Sequence, residues 1–285
     1  MQTKIFLDSS DPAETKEALE LLGALDGQTT NPTLLAHSPL MEQKKAAGEL
    51  RSKHDIKLLY KAIIEDIADL IPEGSLSVEV YADTQTTADE MIEEGKEMAL
   101  WAPKVHVKLP TTLSGIEAAH MLTQSGFRVN MTLVFSQQQV GAVYETTSEA
   151  RAGEVYVSPF VGRLDDTGVS GVSLIENIQT MLATGDAHVE VLMASVRDVE
   201  TLIWGVENKV DAVTAPLAVL KEWVSLGKPE ALTDEQRTSL QVRGEKIAYD
   251  EIDLQGAVHS YELSHELTDV GLERFADDYN SLLES

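Results

Sequence analysis

Val105-His106-Val107-Lys108-Leu109-Pro110 is a short β-rich apolar run followed by sequence of helical period, which reads as a strand leading into a helix. Seven other runs read the same way: Lys4 to Asp8, Gly27 to Asn31, Ser75 to Tyr81, Arg128 to Val134, Val155 to Val161, Val189 to Ser195 and Ala212 to Ala215. Each precedes an amphipathic stretch, so the pattern predicts repeated βα units on a parallel sheet. Eight such units favour closure into a (β/α)8 TIM barrel over an open doubly wound sheet. The cofactor fingerprints of the open sheet, G-x-G-x-x-G and G-x-x-x-x-G-K-[ST], do not occur in the sequence.

The first helix shows the local logic. Asp11 can cap it, Pro12 fits its first turn and Glu14 can complete a capping box, ahead of Ala18, Leu19 and Leu22 on one face. Two regions exceed the plain βα count. Residues 39 to about 72 form an insertion in which Leu50, Ile56, Leu59 and Ile63 suggest extra helix, and residues 228 to about 258 are polar and irregular. Leu272, Phe275, Tyr279 and Leu282 then recur at spacings of three and four, predicting a C-terminal helix. The expected organisation is a single barrel domain, 1–285, with the insertion at about 39–72 and a C-terminal extension at about 228–285.

At 285 residues the chain can bury a large core without staples, and it contains no cysteine. Disulfides, thiolate metal sites and cysteine nucleophiles are thereby excluded. No stretch resembles a signal peptide, and none approaches the roughly 20 apolar residues of a membrane span, so a cytoplasmic protein is expected. With 22 basic against 48 acidic residues the net charge is -26, which repels nucleic acid and anionic membranes. Solubility or a salty habitat accounts for that acidity better than an acidic partner surface does. Any phosphate site must then be made locally. The seven histidines include no H-E-x-x-H, and the spacing of His259 and His265 does not suggest a metal site.

In a barrel of this kind the active site lies at the C-terminal ends of the strands. Those ends carry Asp8, the run Thr29-Thr30-Asn31-Pro32, Glu79, Lys108, Asn130 with Thr132, Ser158 with Phe160, and Ser195 leading to Arg197. Strand alternation puts His106 on the face of Lys108 and turns Val105, Val107 and Leu109 toward the helices. Burial of a lysine favours its neutral amine, a nucleophile able to form an iminium with a ketone. Asp8 or Glu79 could move the protons that this chemistry needs. Each also has a structural reading: Lys108 snorkelling to the mouth, Asp8 supporting a helix N-terminus, Arg163 paired with Asp165 or Asp166, and Arg197 paired with Asp198.

Five motifs in order carry a more specific signal: Ile5-Phe6-Leu7-Asp8, Gly27-Gln28-Thr29-Thr30-Asn31-Pro32-Thr33-Leu34, Val107-Lys108-Leu109-Pro110, Asn130-Met131-Thr132-Leu133-Val134-Phe135-Ser136 and Ser158-Pro159-Phe160-Val161-Gly162-Arg163. Through them the chain resembles the transaldolase family from about Lys4 to Lys221, and the resemblance extends to the final helix. The resemblance implies a class I aldolase barrel that needs neither metal nor organic cofactor. Lys108 would hold a dihydroxyacetone unit from sedoheptulose 7-phosphate or fructose 6-phosphate as a Schiff base and pass it to an aldose phosphate in the pentose phosphate pathway. Asp8 would exchange the proton of the donor's C4 hydroxyl, and Glu79 with Thr132 would hold the water that serves imine formation. Asn31, beside Thr30, and Asn130, with Ser158 and Phe160 near it, would bind the three-carbon unit. Arg163, Arg197 and Ser195 would take the phosphate. Small family members acting as simple fructose-6-phosphate aldolases tend to carry glutamine and tyrosine where Glu79 and Phe160 stand, which favours the transferase here. A simple aldolase and a non-catalytic sugar-phosphate-binding barrel remain alternatives, and a homo-oligomer is compatible with the sequence.

Overall fold

The computed structural model describes residues 2–283, so the outermost residues of the expected 1–285 domain, 1, 284 and 285, lie outside the described residues. Eight parallel strands, β1 (Lys4–Asp8), β2 (Gly27–Thr29), β3 (Ser75–Glu79), β4 (Val105–Pro110), β5 (Arg128–Val134), β6 (Val155–Pro159), β7 (Val189–Met193) and β8 (Ala212–Ala215), pair in sequence order. β8 pairs back onto β1, closing a (β/α)8 barrel. Around it run α1 (Pro12–Leu22), α2 (Pro32–Ala36), α3 (Pro39–Ala46), α4 (Lys53–Leu70), α5 (Ala88–Met98), α6 (Leu113–Gln124) and α7 (Gln137–Thr146). The ring continues with α8 (Val161–Asp165), α9 (Gly171–Leu182), α10 (Val199–Glu207), α11 (Leu217–Ser225), α12 (Asp234–Gln241) and α13 (Glu266–Ser281).

Four strands end earlier than their apolar pattern suggests. Asn31, Val80 with Tyr81, Phe160 with Val161, and Ala194 with Ser195 all lie past the regular strands. At the mouth the backbone turns to new partners: the Asn31 side chain accepts from Leu34 N–H at 2.8 Å to cap α2, and Phe160 N–H donates to Val134 at 3.1 Å. A register shift between Met131 and Val134, with Leu133 at φ 58°, bends the end of β5 in the same region.

The cap of α1 also departs from expectation. Asp11 accepts from Ala13 N–H at 2.9 Å, but Glu14 does not return to the Asp11 backbone. Ser9 Oγ donates to Glu14 Oε2 at 2.5 Å and accepts from Asp11 N–H at 3.0 Å, so the serine replaces the glutamate as the backbone's partner.

The apolar strand residues that face outward, among them Val105, Val107 and Leu109, pack under the helices and form the main core. Inside the barrel a separate small plug of Phe6, Tyr156, Leu192 and Ala212 fills the lower half. Below it Lys4 Nζ meets Glu190 at 2.5 Å, and the His106 ring lies 4.6 Å from that of Tyr156. The interior above the plug is polar, and that is where the site forms.

Of the 39–72 region, α4 is the crossover helix between β2 and β3, with Ile56, Tyr60, Ile63, Ile64 and Ile67 along its buried face. The extra pieces are α3 and the short α2 before it. Residues 228–258 contain α12 and then an extended strap. Its backbone pairs with the turn between α8 and α9 and with α9: Glu245 N–H donates to Gly168, Ser170 N–H donates to Glu245, and Ile247 N–H donates to Ser173 Oγ. Helix α13 buries Leu272, Phe275 and Tyr279 as their spacing requires and packs against α2 across the barrel mouth. Thr268 Oγ1 donates to the Leu133 carbonyl at 2.9 Å, and Asn280 Nδ2 to Tyr81 Oη at 3.1 Å, fixing both halves of the helix to the rim. Among the described residues no helix is long and apolar enough to cross a membrane.

Candidate active site

Lys108 emerges from the centre of β4 into the polar upper interior and is 3% exposed. Its Nζ donates to the Thr30 carbonyl at 3.0 Å and lies 2.9 Å from Glu79 Oε2. The second contact is an ion pair by distance, but Glu79 Oε2 receives no hydrogen bond of regular geometry. Register explains the meeting: Glu79 of β3 and Asn130 of β5 are the immediate partners of Lys108, so all three point inward at one level.

Two carboxylates share the chamber with this one amine. Asp8, at the end of β1, accepts from Thr29 Oγ1 at 2.6 Å, and Thr29 Oγ1 also lies 2.7 Å from Thr214 Oγ1. Burial pushes the Asp8 carboxyl above the ordinary range against the opposing pull of Lys108 and Thr29. Glu79 is raised for the same first reason, with Lys108 opposing and Asp8 adding to the rise. Such pairs of coupled acids beside a lysine are suited to proton transfer.

The neighbouring polar residues are held in defined orientations. Ser158 Oγ donates to Asn130 Oδ1 at 2.7 Å and Asn130 Nδ2 donates to Ser77 Oγ at 2.9 Å, which fixes the amide's direction. Thr132 Oγ1 is buried with no protein partner among the described residues. Thr30 meets the amine through its backbone carbonyl, while its hydroxyl donates to Ser77 O at 2.8 Å.

A cavity of about 160 Å³ opens above the amine and is lined by Asp8, Asn31, Lys108, Ser158, Phe160, Arg163 and Ser195 of the expected site residues. Glu79, Thr30, Asn130 and Thr132 are buried and absent from that lining, with Glu79 and Thr30 in contact with Lys108. Arg197 does not reach the cavity: its Nη1 pairs with Asp166 at the surface. The expected Asp198 pairing fails because Asp198 caps α10 and binds Arg243 Nη1 at 2.6 Å. Arg163 likewise pairs with neither Asp165 nor Asp166. Its guanidinium lies 5.6 Å from the Phe160 ring centre, and Nη1 is buried without a partner. Burial lowers the Arg163 pKa first, and the cations Arg274 and Arg197 lower it further. That is a crowded cationic corner able to accept a dianion.

Sequence reasoning missed Arg274 and Phe275, which α13 brings into the lining, and Thr33 and Leu34 from α2. Phe275 was visible only as an apolar position on the last helix. Here its ring centre lies 6.0 Å from Lys108 Nζ and 6.5 Å from the Phe160 ring. Close passage of α13 requires Gly271, since a Cβ there would lie 2.6 Å from Leu133 Cδ2 and 2.7 Å from Arg163 Nη1. Among the described residues no group of three or more His, Asp or Glu is arranged to hold a metal ion.

Residues 5–285 match the family model described as Transaldolase/Fructose-6-phosphate aldolase. A probable transaldolase of Dehalococcoides mccartyi is 35% identical over 219 residues, 77% of this chain and 89% of its own length. A probable transaldolase of Brucella ovis is 39% identical over 221 residues, 78% of this chain and 88% of its own length. Among solved structures, 3-hexulose-6-phosphate synthase from Salmonella typhimurium aligns with a TM-score of 0.48 and 13% identity, over 85% of this chain and 98% of that one.

Proposed function

The chain belongs to the transaldolase and fructose-6-phosphate aldolase family, and on that premise we propose that it transfers a dihydroxyacetone unit between sugar phosphates through a Schiff base on Lys108. The donor would be fructose 6-phosphate or sedoheptulose 7-phosphate and the acceptor an aldose phosphate, a reaction that fits the pentose phosphate pathway of the cytoplasm. The observation that carries this reading is the buried Lys108 amine, paired at 2.9 Å with Glu79 in a chamber that also holds Asp8.

In this reading the amine adds to the ketone carbon of the donor, and loss of water from the carbinolamine leaves a protonated imine. Glu79 and Thr132 hold that water and carry the protons of its departure. Asp8 takes the proton of the C4 hydroxyl as the bond between C3 and C4 breaks, its electron pair entering the iminium to give an enamine and a free aldehyde. The acceptor aldehyde then receives the C3 carbon, Asp8 returns the proton, and water hydrolyses the new imine. Asn31, Asn130 and Ser158 orient the three-carbon unit, with Thr30 fixing the amine and Phe160 walling the chamber. Arg163, Ser195 and a reoriented Arg197 bind the phosphate.

Borohydride reduction with fructose 6-phosphate, followed by peptide mapping, tests the central step. The expected adduct is on Lys108, and a label on any other residue overturns the proposal. Product analysis with and without an acceptor aldehyde separates the transferase from a simple aldolase.

A further inference from the structure

We infer that Tyr60, a residue of α4 outside the cavity lining, positions Lys108 for reaction, an inference that rests on the Schiff-base reading above. The regular pairing of β2 with β3 ends at Thr29 and Ser77. Just beyond that pair the two chains carry the groups that hold the amine, the Thr30 carbonyl on one and Glu79 on the other. The Tyr60 hydroxyl bridges them, accepting from Glu79 N–H at 3.1 Å and lying 2.5 Å from Thr30 Oγ1.

The direction of each proton follows from supply. Thr30 has one hydroxyl proton, and it goes to the Ser77 carbonyl at 2.8 Å, so Tyr60 donates to Thr30. The resulting chain runs one way, from Glu79 N–H to Tyr60, from Tyr60 to Thr30, and from Thr30 to Ser77. Tyr60 is 3% exposed and its ring meets Trp101 edge to face at 5.5 Å, so the hydroxyl is held in place. Burial also pushes its ionisation far above the usual tyrosine range, which keeps it a donor at any working pH.

Loss of that hydroxyl would leave Glu79 N–H without its partner and remove the link from Glu79 to the Thr30 hydroxyl, although Thr30 would still donate to the Ser77 carbonyl. Both contacts of the amine would then move. Because Glu79 Oε2 meets Nζ off the line of a regular hydrogen bond, a small displacement changes the distance and angle at which the carboxylate meets the amine. The other charged groups acting on this pair are Asp8 of β1 and Arg163 of α8, and Glu94 of α5 acts on Tyr60. The Tyr60 bridge leaves those three groups in place, so its effect is local to the Glu79 and Thr30 ends.

The test compares wild type, Tyr60→Phe, Thr30→Val, Thr30→Ser and the control Ile63→Val, which trims the same buried helix face without touching the hydroxyl chain. Tyr60→Phe should lower kcat about tenfold with KM for fructose 6-phosphate within about twofold, as expected for misplacement of a reacting group. The pH midpoint of borohydride-trapped adduct formation should also shift by about half a unit or more. Thr30→Val should reproduce the shift, Thr30→Ser should restore the wild-type midpoint, and Ile63→Val should leave it unchanged. An unshifted midpoint in a folded Tyr60→Phe overturns the inference, as does an equal shift in Ile63→Val. If Tyr60→Phe does not fold, the Thr30 pair decides the matter alone. Absence of a Lys108 adduct in wild type would sink the Schiff-base reading itself, whereas an adduct formed identically in wild type and Tyr60→Phe would sink only the role of Tyr60.

Discussion

Glu79 and Lys108 stand directly opposite each other in the β3–β4 register, and their charged ends meet at 2.9 Å with both side chains 4% exposed. Removing one member of such a pair strands the other without solvent, a change that typically costs about 3–5 kcal/mol. Lys108→Met is expected to abolish turnover and borohydride trapping. It leaves two carboxyls whose pKa values burial already raises, Asp8 and Glu79. Without the cation that opposes this rise, their native pKa values climb further above the unfolded ones, so stability falls as pH rises through that interval. Urea unfolding should therefore show a larger loss relative to wild type at pH 8 than at pH 5; an equal loss at both would contradict the account.

Asp8→Asn separates stability from activity. The raised native pKa of Asp8 means that the folded state holds its proton more tightly than the unfolded chain does, so the residue costs stability above the ordinary carboxylate range. Asparagine keeps an acceptor for Thr29 Oγ1 and removes that cost. The melting temperature should rise at pH 7.5, by about 2–4 °C for each kcal/mol recovered at this chain size. The gain should vanish below about pH 4. Carbon-carbon cleavage should slow by roughly 10²–10⁴, while the imine still forms and is trapped.

Under the proposed reaction the cationic corner would take the phosphate of the donor. Arg163→Leu should raise KM for fructose 6-phosphate by roughly 10–100-fold, the worth of a charge-assisted contact, and leave KM for dihydroxyacetone little changed. Asp166→Asn releases Arg197 from its surface pair and should lower KM for the phosphorylated donor. Steady-state kinetics on the two donors checks both, and a KM unchanged in Asp166→Asn would leave Arg197 with no part in binding.

Gly271 couples the last helix to the site. A methyl group there meets Leu133 and Arg163 Nη1, so Gly271→Ala should destabilise by about 1–3 kcal/mol through overpacking. Since one of the two displaced groups, Arg163, lines the cavity, KM for fructose 6-phosphate should rise in the same variant under the proposed reaction. Thermal melting and kinetics together test this, and a lower melting temperature with unaltered KM would sever helix packing from binding.

His106, below the site, supplies an acid limb. Burial holds its pKa down to about 3, and its Nε2–H donates to Gly153 O at 3.0 Å while Nδ1 accepts from Ser75 Oγ at 2.9 Å. In the unfolded chain it binds a proton near pH 6.5, so the unfolded state gains protons first and stability is lost as pH falls from about 6.5 toward 3. His106→Gln should flatten that loss in unfolding curves measured between pH 6.5 and 4.5, whatever its stability at pH 8.

Much of this molecule was legible in the chain because its signals are local. The period-two strands and period-three-to-four helices fixed eight βα units, and alternation alone put Lys108 and His106 on one face and Val107 on the other. The ordered motifs pointed to Asp8, Asn31, Ser158, Phe160 and Arg163, and these residues do line one cavity. What could not be read depended on contacts between distant segments. The Arg197 pair with Asp166, the arrival of Arg274 and Phe275 from α13, and the Tyr60 bridge between the ends of β2 and β3 each join residues far apart in sequence. Periodicity states which face of an element is apolar, because that depends on spacing along one chain segment. It does not state what that face will meet, because closure of the barrel and the path of the last helix decide it in three dimensions.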